Sequence, residues 1–212
     1  HRLPAGHDAD AGVRPALVLA DPIAMTSLPE PQLRATAMNA LAHGADSLYT
    51  PLANPVATMA ALRGAALLAK ALDADRAERD PAQLALGSIL CAYALDSALF
   101  AIHHVVCQTL VRTFEIPHAE TNATMLPRTM EAMRPRASKQ MTALARALGT
   151  KQEGLFERIE ALGGGSRRLA ELGADPDRID DAVKGILARR ELGMTPDPPD
   201  AAEVRSLIES AF

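Results

Sequence analysis

Histidine and asparagine side chains recur in this sequence at spacings that could assemble one polar cluster. Asn39 and His43 are four residues apart in a segment with helical periodicity, so their side chains project from the same helix face. His103 and His104 lie in a long apolar segment, and His118 follows a turn that would bring the chain back toward His104. Three imidazoles and one oxygen donor form a ligand set that suits a divalent transition metal.

A core role is the simpler alternative for the same histidines. A single His on an apolar helix face is usually a hydrogen-bonded residue of the core. Of the six histidines in the chain, His1 and His7 lie in a polar N-terminal stretch and take part in neither interpretation. Spacing alone therefore leaves a functional cluster and a set of core residues both open.

Composition narrows the class of protein that must position these side chains. Hydrophobic residues make up 48% of the 212 residues, but aromatic residues make up only 3%, which favours close-packed helices over a sheet. The net charge is -4 and Lys and Arg do not cluster, so we expect no nucleic-acid partner.

The two cysteines and the apolar segments indicate where in the cell the protein is located. Cys91 and Cys107 lie in apolar helical segments, which is typical of buried free thiols in a reducing compartment. We find no signal peptide and no uninterrupted apolar stretch long enough to span a bilayer. These observations predict a cytoplasmic protein with no membrane partner.

Helical periodicity recurs along most of the chain, often with Pro near the start of a segment. We expect Pro127 to kink or break the helix that contains it. Asp200, with Glu203 three residues later, has the signature of an N-cap. The predicted helices cover residues 30–49, 55–72, 81–111, 119–133, 137–148, 152–161, 177–189 and 200–212.

One short apolar segment, 16–20, resembles a strand and is closed by Asp21 and Pro22. A single strand cannot form a sheet, so we expect it to pair with strands from elsewhere. The chain begins with His rather than Met, and we therefore expect upstream sequence to be missing. The fold class predicted from these patterns is mainly α: a helical bundle with one N-terminal strand.

Four separated motifs carry a resemblance to a known family. They are MNALAHGADSLY at 38–49, NP at 54–55, HHVVCQTL at 103–110, and PHAETNA at 117–123 with LP at 126–127. In this order they resemble the helical domain of the iron-containing alcohol dehydrogenase superfamily, which has the dehydroquinate synthase-like fold. Within the superfamily, the maleylacetate reductase branch is the most similar, and the resemblance runs from about residue 15 to residue 212.

The resemblance implies a division of the chain and a cofactor. Residues 1–28 would be a remnant of an α/β nucleotide-binding domain with its entry strand, and residues 29–212 would be the all-helical metal and substrate domain. NAD(H) or NADP(H) would be bound by the missing α/β domain. Relatives of this kind are commonly dimers, so a homodimer is implied as well.

The resemblance also implies site residues. In the metal-dependent branch an Asp and three His hold a divalent ion, iron or zinc, and these positions fall on Asn39, His43, His104 and His118. Asn39 replaces the Asp, and a neutral amide oxygen is a weaker donor than a carboxylate. The reductase branch resembles this sequence in having Asn there. The three histidines would then be catalytic, with a protonated His attracting a small anionic substrate and donating a proton.

Three further parts of the sequence could contribute to binding or catalysis. Gln108 stands where relatives tend to have His, and it cannot act as an acid or a base. Arg112 could bind a carboxylate, although a solvated charge at a helix end is the interpretation we favour. The glycine-rich segment 163–166 follows a helix and no strand precedes it, so we do not expect it to bind a phosphate.

The function predicted from the resemblance is that of an NAD(P)-dependent oxidoreductase acting on CH–OH or CH–CH groups. Reduction of maleylacetate to 3-oxoadipate is the implied reaction, and the chain alone is expected to be inactive without its nucleotide-binding half. Two alternatives remain at this point. One is a metal-dependent short-chain alcohol dehydrogenase domain, and the other is a stand-alone helical module that binds a small anion or a partner.

Overall fold

The computed structural model describes residues 15, 17–25 and 27–212, and the regular structure of this part is helical. Four short 3₁₀ turns connect the later helices. The α-helices are α1 (Pro22–Met25), α2 (Glu30–Ser47), α3 (Pro55–Asp73), α4 (Pro81–Ala98), α5 (Ile102–Phe114), α6 (His118–Met133), α7 (Ser138–Ala147), α8 (Leu155–Leu162), α9 (Ile179–Leu187) and α10 (Ala201–Glu209). The mainly helical fold is therefore confirmed.

The predicted strand at 16–20 is not formed over its described residues, 17–20, and this part of the prediction is wrong. Leu17 and Leu19 expose 72% and 86% of their surface, and the following helix α1 is a single turn. The physical reason is the lack of a neighbour: a strand needs another strand to pair its backbone groups, and the described residues supply none. Residue 16 lies outside the described residues.

Helix α2 is the central element of the bundle and carries the first residues of the polar cluster. It packs against α3, α4, α5 and α6, and its buried residues include Met38 and Leu41, which have no exposed surface. A helix in contact on several sides can present a polar side chain to the helices around it without exposing that side chain to water. Residues such as Asn39 and His43 can therefore be held against other elements.

Helices α3 and α4 approach closely because small residues line their contact. An added Cβ atom at Gly64 would lie 2.8 Å from the carbonyl oxygen of Gly87 and 2.6 Å from Sγ of Cys91. Small residues at this contact let the two backbones approach, since bulky side chains would separate them. Cys91 and Cys107 are free and buried, as predicted.

Helix α3 is the one described helix that is long and apolar enough by itself to cross a membrane, by length and composition only. Arg63 and Lys70 interrupt its apolar residues. The pair α4 and α5 would pass the same criterion if it were one bent span. More than half of the α3 window is buried inside the fold, and the core helix of a globular domain has the same composition.

The segment 81–111, predicted as one helix, is two helices that meet at a 100° bend, so the prediction is wrong there. Leu99 adopts a φ of 59°, which ends α4. The hydroxyl of Thr50 donates to the carbonyl oxygen of Ala98 at 2.6 Å, and the buried carboxylate of Asp46 accepts from the backbone N–H of Ala101 at 2.8 Å. Side chains from the end of α2 therefore satisfy the backbone groups that the bend exposes.

The remaining helices follow the predicted positions closely. Helix α6 continues through Pro127 without a break, because the buried surroundings of Pro127 hold the helix together despite one missing hydrogen bond. Asp200 and Glu203 form the predicted capping box at the start of α10. Asn54 caps α3 by accepting from the backbone N–H of Ala57.

Candidate active site

Three of the predicted histidines come together where α2, α5 and α6 meet. His43 lies in α2, His104 in the first turn of α5, and His118 is the first residue of α6. The ring centroids of His43 and His104 are 5.1 Å apart, and the charge of His118 acts on His43 as well. Asn39 is one helical turn before His43 on α2. Helices distant in sequence therefore contribute to one cluster.

Two polar atoms of this cluster have no partner among the described residues. They are Oδ1 of Asn39 and Nε2 of His104, and both are buried. A buried polar atom without a partner costs about 1–3 kcal/mol, so such atoms call for a ligand or water. The cluster opens to solvent on one side, because His118 is exposed and His43 is only partly buried. This arrangement is suited to a small polar molecule that enters from the open side.

Asp46 is the functional residue that sequence analysis missed. It is completely buried, and Oδ2 of Asp46 lies 2.8 Å from Nδ1 of His104. Asp46 is seven residues after Asn39 and three after His43, so all three positions share one face of α2. That spacing was a signal for its role, but only the fold shows that His104 of a different helix reaches it.

The surroundings of Asp46 keep it ionised. Burial alone would raise the pKa of Asp46, but the hydrogen bond from His104 and the charges of His104 and His103 outweigh burial and hold that pKa at about 2. The hydroxyl of Tyr49 also donates to Asp46, and burial raises the pKa of Tyr49 well above its usual value. Tyr49 is thus a buried packing residue that supports Asp46.

His103 has a different environment from its neighbour His104. Its Nδ1 lies 2.8 Å from Oγ1 of Thr129 and its Nε2 lies 2.9 Å from Oδ1 of Asn122. Burial lowers the pKa of His103 to about 3. His103 is therefore a hydrogen-bonded core residue that ties α5 to α6, which is the simpler of the two roles considered for the histidines.

The other cluster histidines are uncharged at neutral pH. Burial, followed by the charges of His104 and His118, lowers the pKa of His43 to about 4. Burial also lowers the pKa of His118, with a further contribution from His104. The lowered pKa values disfavour a charge on His43 and His118 before an anion binds. An anion beside these rings would favour their protonated forms.

We expect acidification to destabilise the fold at pH values above those at which carboxylates titrate. His43 and His103 have pKa values of about 4 and about 3 in the fold, against 6.5 for a free His. The unfolded chain therefore binds these protons first, and the free energy of unfolding falls as the pH drops through 6.5. At pH 5 we expect a loss of roughly 1–2 kcal/mol per histidine relative to pH 7.

Urea unfolding of the chain at pH 7 and at pH 5 measures this loss. The variant His43→Gln retains the contribution of His103 alone and should lose less stability than the wild type over the same interval. An identical loss in both proteins would show that His43 is not held neutral by the fold.

Arg112 and Gln108 have different roles from those of the cluster. Arg112 is exposed in the last turn of α5, in agreement with a solvated charge at a helix end. Gln108 accepts a hydrogen bond from Nη2 of Arg189 at 3.0 Å, and Arg189 also pairs with Glu191 at 2.9 Å. The amide of Gln108 thus anchors the segment after α9, a contact that no sequence pattern predicted.

The glycine-rich segment 163–166 lies at the C-terminal end of α8. The backbone N–H of Gly165 donates to the carbonyl oxygen of Glu160 at 2.8 Å, and Gly164 and Gly165 have φ angles of 91° and 110°. A helix C-terminus carries partial negative charge and repels an anion. The positions therefore support the prediction that this segment does not bind a phosphate.

A divalent metal fits the cluster poorly. Over residues 15, 17–25 and 27–212, no three side chains of His, Cys, Asp and Glu are arranged to hold a metal ion. Asn39 supplies a neutral oxygen, and the carboxylate of Asp46 is directed at N–H groups instead. Hard and borderline cations favour anionic oxygen. The assignment of Asn39, His43, His104 and His118 as metal ligands thus stays a prediction.

Comparison with known proteins identifies the family of this chain. The model of the Fe-containing alcohol dehydrogenase family, C-terminal part, matches residues 33–212. A maleylacetate reductase of Burkholderia cepacia is 34% identical over 211 residues, which cover 96% of this chain and 58% of the relative. A maleylacetate reductase of Rhizobium sp. strain MTP-10005 is 31% identical over 205 residues, which cover 94% and 58%.

Solved structures agree with the sequence comparison. The crystal structure of maleylacetate reductase from Rhizobium sp. strain MTP-10005 superposes with a TM-score of 0.82 at 28% identity, covering 91% of this chain and 55% of that one. The maleylacetate reductase from Agrobacterium tumefaciens gives a TM-score of 0.81 at 30% identity, with the same two shares. The chain therefore spans somewhat more than half the length of the relatives that it matches.

Proposed function

We propose, from the premise that the chain belongs to the Fe-containing alcohol dehydrogenase family, that it forms the substrate-binding half of an NAD(P)H-dependent reductase. The relatives named above are oxidoreductases called maleylacetate reductases, and we propose maleylacetate as the substrate here. The observation that carries this proposal is the pair of buried unpartnered atoms, Asn39 Oδ1 and His104 Nε2, beside His43 on an open surface.

The chemistry needs one hydride and one proton for each double bond reduced. A reduced nicotinamide supplies the hydride, and the chain must bind the substrate and supply the proton. An anionic substrate beside His43 and His118 raises the pKa of both rings by Coulomb attraction, so substrate binding itself favours their protonation. This coupling gives neutral rings before binding and proton donors afterwards.

His104 and Asn39 have complementary roles in the proposal. Asn39 adds no negative charge to the site, so it does not repel a dicarboxylate as an Asp would. Its amide N–H₂ can donate to a substrate carboxylate, whereas Oδ1 can only accept from a donor. A proton on Nε2 of His104 produces an imidazolium whose Nδ1–H remains on the carboxylate of Asp46, and that carboxylate stabilises the positive charge. His104 can then donate the Nε2 proton as the hydride is added.

The dinucleotide requires another domain in this proposal. Within the part of the chain that the structure describes there is no sheet, and segment 163–166 lies at the wrong end of a helix for a phosphate. We therefore place NAD(H) or NADP(H) on an α/β domain that precedes the helical domain. Residues 1–28 would be a remnant of that nucleotide-binding domain. We further propose a cytoplasmic homodimer, and a chain that is inactive when separated from that domain.

The direct test of the function is an assay of the natural gene product. We expect oxidation of NADH or NADPH, followed by absorbance, to depend on maleylacetate and to be absent with the 212-residue chain alone. Reduction of short aldehydes in preference to maleylacetate would favour the metal-dependent alcohol dehydrogenase alternative. Absence of any nicotinamide oxidation, together with anion binding by the chain alone, would favour the binding module.

Metal content separates the two enzyme alternatives. We expect the purified wild type to contain far less than one equivalent of iron or zinc by elemental mass spectrometry, because Asn39 is neutral and Asp46 is already engaged. Asn39→Asp adds an anionic oxygen beside His43 and should raise the retained metal at least several-fold after incubation with Zn²⁺. Near-stoichiometric metal in the wild type would overturn the metal-free reductase, and Asn39→Gln is the uncharged control.

A further inference from the structure

We propose that Asp46 is the positioning residue of this site, fixing which ring nitrogen of His104 faces the substrate. The inference rests on the proposed function only for its kinetic consequence, since the arrangement of the ring can be measured without any substrate. Two features of the structure carry it: the identity of the groups that surround the carboxylate, and the way in which helix α5 begins.

The groups that contact Asp46 are hydrogen-bond donors. Oδ2 accepts from the backbone N–H of Ala101 at 2.8 Å and of His104 at 3.2 Å, and Oδ1 accepts from the N–H of His103 at 3.3 Å and from the hydroxyl of Tyr49. Each of those backbone groups can only donate. A carboxylate satisfies all of them, whereas an amide at this position would direct its own N–H₂ at a donor.

The same carboxylate fixes the tautomer of His104. Nδ1 of His104 lies 2.8 Å from Oδ2 of Asp46, and a carboxylate oxygen requires a donor there, so Nδ1 carries the hydrogen. Nε2 is then the atom with the free lone pair, and it is buried without a partner among the described residues. It belongs to a ring whose centroid lies 5.1 Å from that of His43, so this basic nitrogen is part of the cluster.

Helix α5 depends on Asp46 for its start. The N-cap residue Ala101 has no side chain that can accept from the first turn of the helix. Asp46 of α2 accepts from Ala101 and from two N–H groups of that turn in its place. The carboxylate of Asp46 therefore fixes the start of α5, which carries His104, and also the orientation of the His104 ring. Each effect reduces the range of positions that Nε2 can take.

If Asp46 had only a structural role, its replacement would lower the stability of the fold and nothing else. The test must therefore measure which nitrogen of the His104 ring carries the hydrogen. We would record two-bond ¹⁵N–¹H correlation spectra of the ¹⁵N-labelled 212-residue chain, assigning the His104 signals by their loss in His104→Gln. We expect a protonated Nδ1 and a lone-pair Nε2 in the wild type. In Asp46→Asn we expect the Nε2–H form to become populated, and Tyr49→Phe, which keeps the carboxylate, should retain the wild-type pattern.

The spectra distinguish an effect of Asp46 on the His104 tautomer from a loss of folding. An Nε2–H tautomer in the wild type, or an unchanged His104 pattern in a folded Asp46→Asn, would overturn the proposal. If Asp46→Asn unfolds, as judged by circular dichroism, Asp46→Glu gives the answer: its carboxylate should keep Nδ1 protonated with an altered ring position. In the natural gene product we expect Asp46→Asn to lower kcat about 10–100-fold relative to the wild type. We expect Asp46→Glu to have a kcat between those of Asp46→Asn and the wild type, and KM to change less than kcat.

If the wild type reduces no substrate, the proposed function fails, but the spectra of the 212-residue chain still test the role of Asp46.

Discussion

Replacing His104 by Gln in the natural gene product is expected to lower kcat for the reduction of maleylacetate by about 10²–10⁴-fold, the range for loss of a general acid. Gln retains hydrogen-bonding capacity and comparable length but cannot carry the proton that Nε2 supplies. The buried position beside Asp46 makes this substitution specific, because among the described residues no other imidazole ring lies at hydrogen-bond distance from that carboxylate. Steady-state kinetics with NADH and NADPH measure the effect.

Arg112→Gln is the matched control for this experiment. It removes a polar side chain from the same helix, but at an exposed position in the last turn, and should leave kcat within about twofold. A His104→Gln enzyme that retains more than a tenth of the wild-type kcat would show that another group supplies the proton. His43→Gln would then be the next variant, since His43 is the adjacent ring.

We expect Gly64→Ala to be among the most destabilising small substitutions in the described bundle. The new Cβ would lie 2.6 Å from Sγ of Cys91 and 2.8 Å from the carbonyl oxygen of Gly87, so α3 and α4 must move apart. Overpacking of this kind costs typically 1–3 kcal/mol, against a gain of about 1 kcal/mol in helix propensity. Because one contact is to a backbone atom, which cannot rotate away, the cost should lie in the upper half of that range, about 2–3 kcal/mol. We therefore expect a net loss of roughly 1–2 kcal/mol in the free energy of unfolding, measured by urea denaturation.

Gly193→Ala serves as the comparison for Gly64→Ala. Nothing lies within 4 Å of a Cβ built at Gly193, so the same chemical change meets no neighbour. Its effect on the free energy of unfolding should stay within about 0.5 kcal/mol. Equal effects of the two substitutions would mean that the helix contact at Gly64 is looser than the structure shows.

The sequence by itself determined the helical class and most of the helix positions. Apolar residues at helical spacing, Pro near helix starts and a capping box at Asp200 are local signals, and α2, α3, α6 and α10 occur where they predicted. Asn39, His43, His104 and His118 were predicted as site residues from spacing and from the resemblance of their motifs, and their role stays a prediction. Local patterns suffice for the helices because each helix signal depends on residues within one or two turns.

Only the tertiary structure decided where the chain turns and which nitrogen of His104 is free. The apolar pattern of 81–111 continues across the bend, and the groups that satisfy the broken backbone, Asp46 and Thr50, lie about fifty residues earlier. Segment 17–20 forms no strand because pairing depends on a neighbour outside that segment. A hydrogen-bond partner distant in sequence leaves no local pattern, so the role of Asp46 emerges only when α2 and α5 are packed together.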